Sequence, residues 1–423
     1  MRSTHNSERP EVYREAMRKV ELSGLTGIRF YAAFFVYLHH IVLIPGMTAL
    51  SGSSLLFNAG DVGVSFFFVL SGFILTYNYA DVFRDGVSGA NYQRFVWDRL
   101  TKIYPVHFLT FVLVLPIAIF SPRLPLDWRA VPFHLFLLQC FWPSATPAFS
   151  DYLNVPSWSI SCEWFFYPLA PLAMFFAVGN RRRWVPMVVA LGYACGLGLF
   201  LWHGQSDSAR LYFVSRFAPS RFVEFMVGVF VARIFLTPPR SNLGEVSGLA
   251  QATGILLIIA GAMYRQDAPW PFWGGLLYEP GSALLILGLA SGRGFFVAHL
   301  SRPGLNRLGI ASFSLYLIQL PLLRAMKGIC LHLGWEVHSW LAFWAVVIGM
   351  FMVVQTAALL ICYEYEIPLQ KRLRRLLVQD RRLAERRRSH AGVMSDRRRT
   401  DRRARPQVDV ERKLASYASV TLP

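Results

Sequence analysis

The chain has 423 residues, 54% of them hydrophobic and 16% charged, and a formal net charge of +18. Soluble globular domains carry about 25% charged residues, and here the charges gather between long apolar runs, which argues against an ordinary soluble domain. Lipid offers no partner to backbone N–H and C=O groups, so such runs are expected as helices of roughly 20 residues.

Residues 1–24 are polar and charged and lack the short basic region followed by an apolar core that marks a cleavable signal. They are expected as a cytoplasmic segment. Ten stretches long enough to cross follow, at 25–44, 61–79, 103–120, 160–178, 185–203, 220–236, 246–264, 274–291, 309–326 and 339–363. An eleventh, 131–142, is too short to span and sits among Pro132 and Pro143, so a re-entrant or interfacial helix is expected there. The expected fold is an all-α, polytopic transmembrane helical bundle of about ten spans over residues 25–368. With both termini cytoplasmic, the inner segments between 1 and 308 hold 16 Lys/Arg against six in the outer ones, as the positive-inside rule requires. If 131–142 crossed, Arg181–Arg183 and the basic tail would fall outside. The tail, 369–423, holds 17 Lys/Arg and six Asp/Glu, hence +11. It is expected as a disordered cytoplasmic segment drawn to anionic lipid head groups, and nucleic acid is not expected as a partner. The five cysteines form no CxxC pair and no cluster with His, and neither a metal nor a disulfide framework is expected.

The first span carries Arg29 and His40. An arginine within a span costs at least about 2.5 kcal/mol, so it is expected to face protein or water. Eleven positions at about 100° each bring Arg29 and His40 within about 20° on one helix face, about 16 Å apart along the axis. They cannot touch but can line one cavity. His39 points about 100° away and need not share it. The same spacing also suits an arginine snorkelling inward and a histidine in the outer interface.

Further motifs follow in order: Gly63–Phe73, ending in Ser71-Gly72-Phe73; Arg94–Pro105, with Arg99, Lys102 and Ile-Tyr104-Pro105; Trp158-Ser159-Ile-Ser161-Cys-Glu163-Trp164; Ser312-Phe-Ser314-Leu-Tyr316-Leu317; and Glu366-Ile-Pro368. Together with the Arg29–His40 spacing they resemble the acyltransferase-3 family of integral membrane O-acyltransferases, from about residue 22 to 370. The resemblance implies a membrane enzyme that acylates hydroxyl groups of sugars and similar compounds. Thr26 stands where many members carry Asp, Ser65 where an acidic residue is common, Lys102 for Arg, and Gln319 for a frequent His. The first two remove acidic partners for the Arg/His pair.

Acyl transfer to a hydroxyl needs a base, an activated donor and stabilisation of the oxyanion. His40 suits proton transfer at neutral pH, with an acyl-imidazole on the same ring as a second route. The expected donor is acyl-CoA, acetyl-CoA by default, with its phosphates held by Arg29, Arg99 and Lys102 near the inner face. Arg99 and Lys102 also fit ordinary positive-inside charge. Glu163 is expected to orient His40 or to bind the acceptor. Trp158 is a candidate stacking surface or interface-belt aromatic. Ser71 is read first as a packing residue and second as an acceptor contact. Arg221 and Glu224 are expected as a structural pair. The expected acceptor is carbohydrate-like, a surface glycan or its lipid-linked precursor, or else a small glycosylated metabolite. The rival class is a transporter using the same intramembrane Arg, His and Glu. The oligomeric state is left open.

Overall fold

The computed structural model describes residues 22–52, 54–58, 60–120, 127–142, 147–178, 212–237, 244–267 and 271–376. Every regular element among them is helical. The long helices are α1 (Ser23–Ile41), α2 (Gly60–Phe83), α3 (Gly89–Phe120), α4 (Ser157–Val178), α5 (Ala218–Leu236), α6 (Ser247–Asp267), α7 (Pro271–Ala290), α8 (Ser312–Leu333) and α9 (Trp340–Leu360). A π-helical stretch, Ile361–Glu366, extends α9. From Leu369 onward the chain forms a second unit, described only as helix over 369–376.

Six helices among the described residues are long and apolar enough to cross a membrane: α2, α3, α4, α6, α8 and the one beginning at Trp340. The chain is therefore a multi-pass membrane protein. Helices α1, α5 and α7 lie over three more of the expected stretches, and 185–203 lies outside the described residues. Over 131–142 the chain forms a six-residue helix, Ala130–Leu135, which rises only about 9 Å. A turn follows, with Leu137 in the left-handed region at φ 58°. It is pinned to the start of α4: Ser161 Oγ donates to the Leu137 carbonyl at 2.8 Å, and Gln139 Nε2 donates to the Ser157 carbonyl at 3.2 Å.

Close helix crossings position the interior. At Gly72 of α2 an added Cβ would lie 2.0 Å from the Phe225 carbonyl oxygen of α5, and at Gly228 of α5 one would lie 1.9 Å from that of Val69. Between helices surrounded by lipid tails, such small residues permit backbone contact. Gly228→Leu is therefore expected to lower stability by about 1–3 kcal/mol through overpacking, read as a fall in the unfolding temperature of the purified protein in detergent. Pro321 lies inside α8. A proline ring displaces the hydrogen bond to the carbonyl four residues earlier, and that freed Leu317 oxygen accepts Asn154 Nδ2 at 3.1 Å. The exchange keeps a buried polar group paired.

The 130–135 helix carries a buried histidine. His134 Nε2 lies 2.9 Å from the Phe149 carbonyl, and burial pushes its pKa down to about 4. The unfolded chain then binds the extra proton between about pH 6.5 and 4, so stability is present above that window and falls as pH is lowered through it. At pH 5 the loss is about 2 kcal/mol. Thermal unfolding should drop accordingly between pH 7 and 5, and His134→Gln should flatten the dependence.

Candidate active site

Two adjoining cavities occupy the bundle. The inner one, about 160 Å³, takes Arg29 from α1, Ser71 from α2, Arg99 and Lys102 from α3, and Glu163 and Tyr167 from α4. The outer one, about 1050 Å³, takes His40 from α1 with Asp151, Trp158, Arg216, Arg324 and Lys327. Val64 and Tyr316 border both. Helix α8 runs along the pair: Ser312, Phe313 and Tyr316 face the inner cavity, and Tyr316, Leu320, Arg324 and Lys327 the outer. The 3.6-residue period of one helix thus serves both.

The expected shared cavity of Arg29 and His40 is in fact this divided one. The structure brings Arg29, Ser71, Arg99, Lys102 and Glu163 together, and it places His40 and Trp158 beyond the Val64–Tyr316 wall. Glu163 does not face His40's cavity. Tyr167, one turn further on, donates to its Oε2 at 2.5 Å, and its charge acts on Arg29 and Arg99. His39, expected to point away, also borders the outer cavity.

The cations of the inner cavity differ in their partners. Lys102 is ion-paired with Glu366, which is fully buried and accepts Ser314 Oγ at 2.6 Å. Glu366 is therefore a compensating charge within the bundle. Arg99 donates to Tyr79 Oη at 3.3 Å and lies over the Tyr79 and Phe95 rings. Arg29 has the carboxylates of Glu163 and Glu366 in its field, yet among the described residues no carboxylate lies within 4.0 Å of it. A cation that faces a cavity with no carboxylate in contact is the feature most suited to an anionic ligand.

Among the described residues no carboxylate lies within 4.0 Å of His40, though Asp61 and Asp151 line the same cavity. The neighbour of His40 is Gln319 of α8, which is fully buried. Gln319 Nε2 donates to the Tyr316 carbonyl at 3.0 Å, which turns Oε1 into the interior. Among the described residues neither that Oε1 nor His40 Nδ1, both buried, has a hydrogen-bond partner. Across the cavity Arg216 forms a two-pronged ion pair with Asp151 at 3.2 and 3.3 Å, its guanidinium 4.2 Å from the Trp158 ring centroid. Trp158 is 4% exposed, so its role here is to seat Arg216 rather than to offer an open stacking face. At the wall, Tyr316 Oη is 2.8 Å from Ser159 Oγ.

Arg221 and Glu224 pair as expected, at 3.0 Å, and Arg221 also donates to Ser65 Oγ at 2.9 Å. The serine that replaces an acidic residue thus serves this structural pair. Sequence reasoning passed over Tyr167, Tyr316, Glu366, Arg216, Arg324 and Lys327 as site residues. A signal existed for Arg324, an arginine inside the expected 309–326 stretch. Tyr167 could have been found as the residue four beyond Glu163 on one face.

Residues 22–362 match a family model described as an acyltransferase domain. The chain is 32% identical over 327 residues to "Acyltransferase MdmB" of Streptomyces mycarofaciens, covering 73% of this chain and 80% of that one. It is 24% identical over 335 residues to the "Putative peptidoglycan O-acetyltransferase YrhL" of Bacillus subtilis, and 25% identical over 329 residues to the "O-acetyltransferase OatA" of Staphylococcus aureus. It spans half the length of each of those two. No solved structure matches.

Proposed function

Because the chain belongs to the acyltransferase family and is an acyl-transferring membrane enzyme, we propose that it moves an acyl group, acetyl by default, from acyl-CoA to a hydroxyl of a surface glycan or its lipid-linked precursor, with the donor in the inner cavity and the acceptor in the outer. The observation that carries this reading is the pair of adjoining cavities, one with the unpaired Arg29 and one with His40. The Bacillus relative's name specifies peptidoglycan, which supports a glycan acceptor. On the proposed ten-span topology with both termini cytoplasmic, the inner cavity lies toward the compartment where coenzyme A is made.

The inner cavity is smaller than the roughly 300–1,000 Å³ of ordinary ligand pockets. It suits the slender arm of the donor, with the nucleotide outside its mouth and Arg29 and Arg99 on the phosphates. Lys102, already compensated by Glu366, contributes less. The arm must bring the thioester to the Tyr316 wall, within reach of His40.

There, His40 Nε2 takes the proton of the acceptor hydroxyl. The oxygen attacks the thioester carbonyl, a C–O bond forms, the C–S bond breaks, and the thiolate recovers the proton from His40. The role foreseen for a carboxylate passes to Gln319: by accepting from Nδ1–H at Oε1 it would fix the tautomer that leaves Nε2 free to act as base. The test is labelled acetyl-CoA supplied to the purified protein with a glycan acceptor, comparing wild type with His40→Ala. Label transfer by wild type and its loss in the variant is the expected result. Normal transfer by His40→Ala would overturn the mechanism.

A further inference from the structure

The outer cavity is lined by three cations, Arg216, Arg324 and Lys327, and two carboxylates, Asp61 and Asp151, and the transfer chemistry does not use the positive excess. Arg324 and Lys327 stand three residues apart on α8, so they share a face, and both line the cavity. Arg324 donates only to the backbone carbonyl of Leu153. Among the described residues neither side chain has a carboxylate within 4.0 Å. The nearby Asp151 is bound by both prongs of Arg216. Arg324 lies inside the expected 309–326 span and Lys327 just past its outer end; cations without a carboxylate in contact at such a place are costly and mark ligand paths. Along α8 they lie about 7.5 and 12 Å beyond Gln319, which marks the level of His40. A single sugar unit and its linkage bridge that interval.

We propose that Arg324 and Lys327 form an oxyanion subsite of the acceptor cavity, so that the acceptor carries a phosphate or carboxylate about one sugar unit from the hydroxyl placed at His40. The subsite rests on reading the outer cavity as the acceptor's. Arg324 supplies a planar fork for two oxygens and Lys327 a point charge. An acceptor of this class enters pre-oriented, because its anion fixes which hydroxyl reaches the base.

The test reads Lys327 itself. The full chain is placed in phosphatidylcholine nanodiscs and treated with a lysine-acylating reagent, and the modification rate at Lys327 is followed by mass spectrometry. Methyl glucuronide and glucose 1-phosphate serve as anionic probes, with methyl glucoside as their neutral counterpart. Each anionic sugar is expected to slow modification of Lys327 about fivefold, with methyl glucoside giving no protection. Arg324→Gln should lose the protection and Arg324→Lys should keep it. Equal effects of anionic and neutral sugars would overturn the proposal. So would protection by added phosphatidylglycerol alone with no further effect of sugar, which would make this a lipid head-group site. His40→Ala should retain the protection. Normal transfer by that variant would sink the catalytic reading and leave this measurement standing, so the two failures are distinguishable.

Discussion

His40→Ala is expected to lower the rate of acyl transfer by about 10²–10⁴-fold, the usual contribution of a positioned general base, while coenzyme A binding is retained. The division between cavities dictates this pattern. His40 lines only the outer cavity, and Val64 and Tyr316 separate it from Arg29. The loss should therefore appear in kcat, measured with saturating labelled acetyl-CoA, and not in donor affinity. His40 is partly exposed to the cavity and lies at the end of α1, so truncation there removes little packing. An unfolding temperature close to wild type should accompany the loss of rate. Gln319→Leu should share part of the effect, because it removes the amide beside the ring.

Arg29→Gln is expected to act on the other side of the reaction. A hydrogen bond to a charged group contributes about 1.5–3 kcal/mol, so losing Arg29 from the donor phosphates should weaken acyl-CoA binding by about 10–100-fold. The variant should show a raised KM for acetyl-CoA, with kcat largely recovered at saturation. Stability should change little, because Arg29 makes no contact ion pair among the described residues. Arg29→Lys should restore the charge without the fork, and so recover only part of the affinity. A marked fall in unfolding temperature, with unchanged KM, would assign Arg29 to the scaffold.

Much of this was legible in the chain. Long apolar runs dictated helices because lipid leaves the backbone no alternative, and α1, α2 and α4 fall within a few residues of the expected stretches. The same-face spacing of Arg29 and His40 follows from the helical period alone, and both do face cavities. The wall between them was not legible, because it is contributed by Tyr316, far away in sequence, and held by Ser159 of a third helix. The partner of Lys102 was hidden for a local reason: the π-helical winding at Ile361–Glu366 breaks the 3.6-residue period, so a wheel extended from α9 misplaces Glu366. Glu163 was expected to orient His40 or to bind the acceptor; its charge was legible, and its facing direction, into the inner cavity, was not. Gln319 was visible only as a departure from a family pattern, and its meaning came from the neighbour it meets.

The central claim is the division of labour: donor at Arg29, base at His40. Its most direct measurement is the affinity of coenzyme A for the full chain in nanodiscs, compared among wild type, His40→Ala and Arg29→Gln. The account predicts equal affinity for wild type and His40→Ala and weaker binding by Arg29→Gln. Binding that is lost in His40→Ala and kept in Arg29→Gln would contradict it.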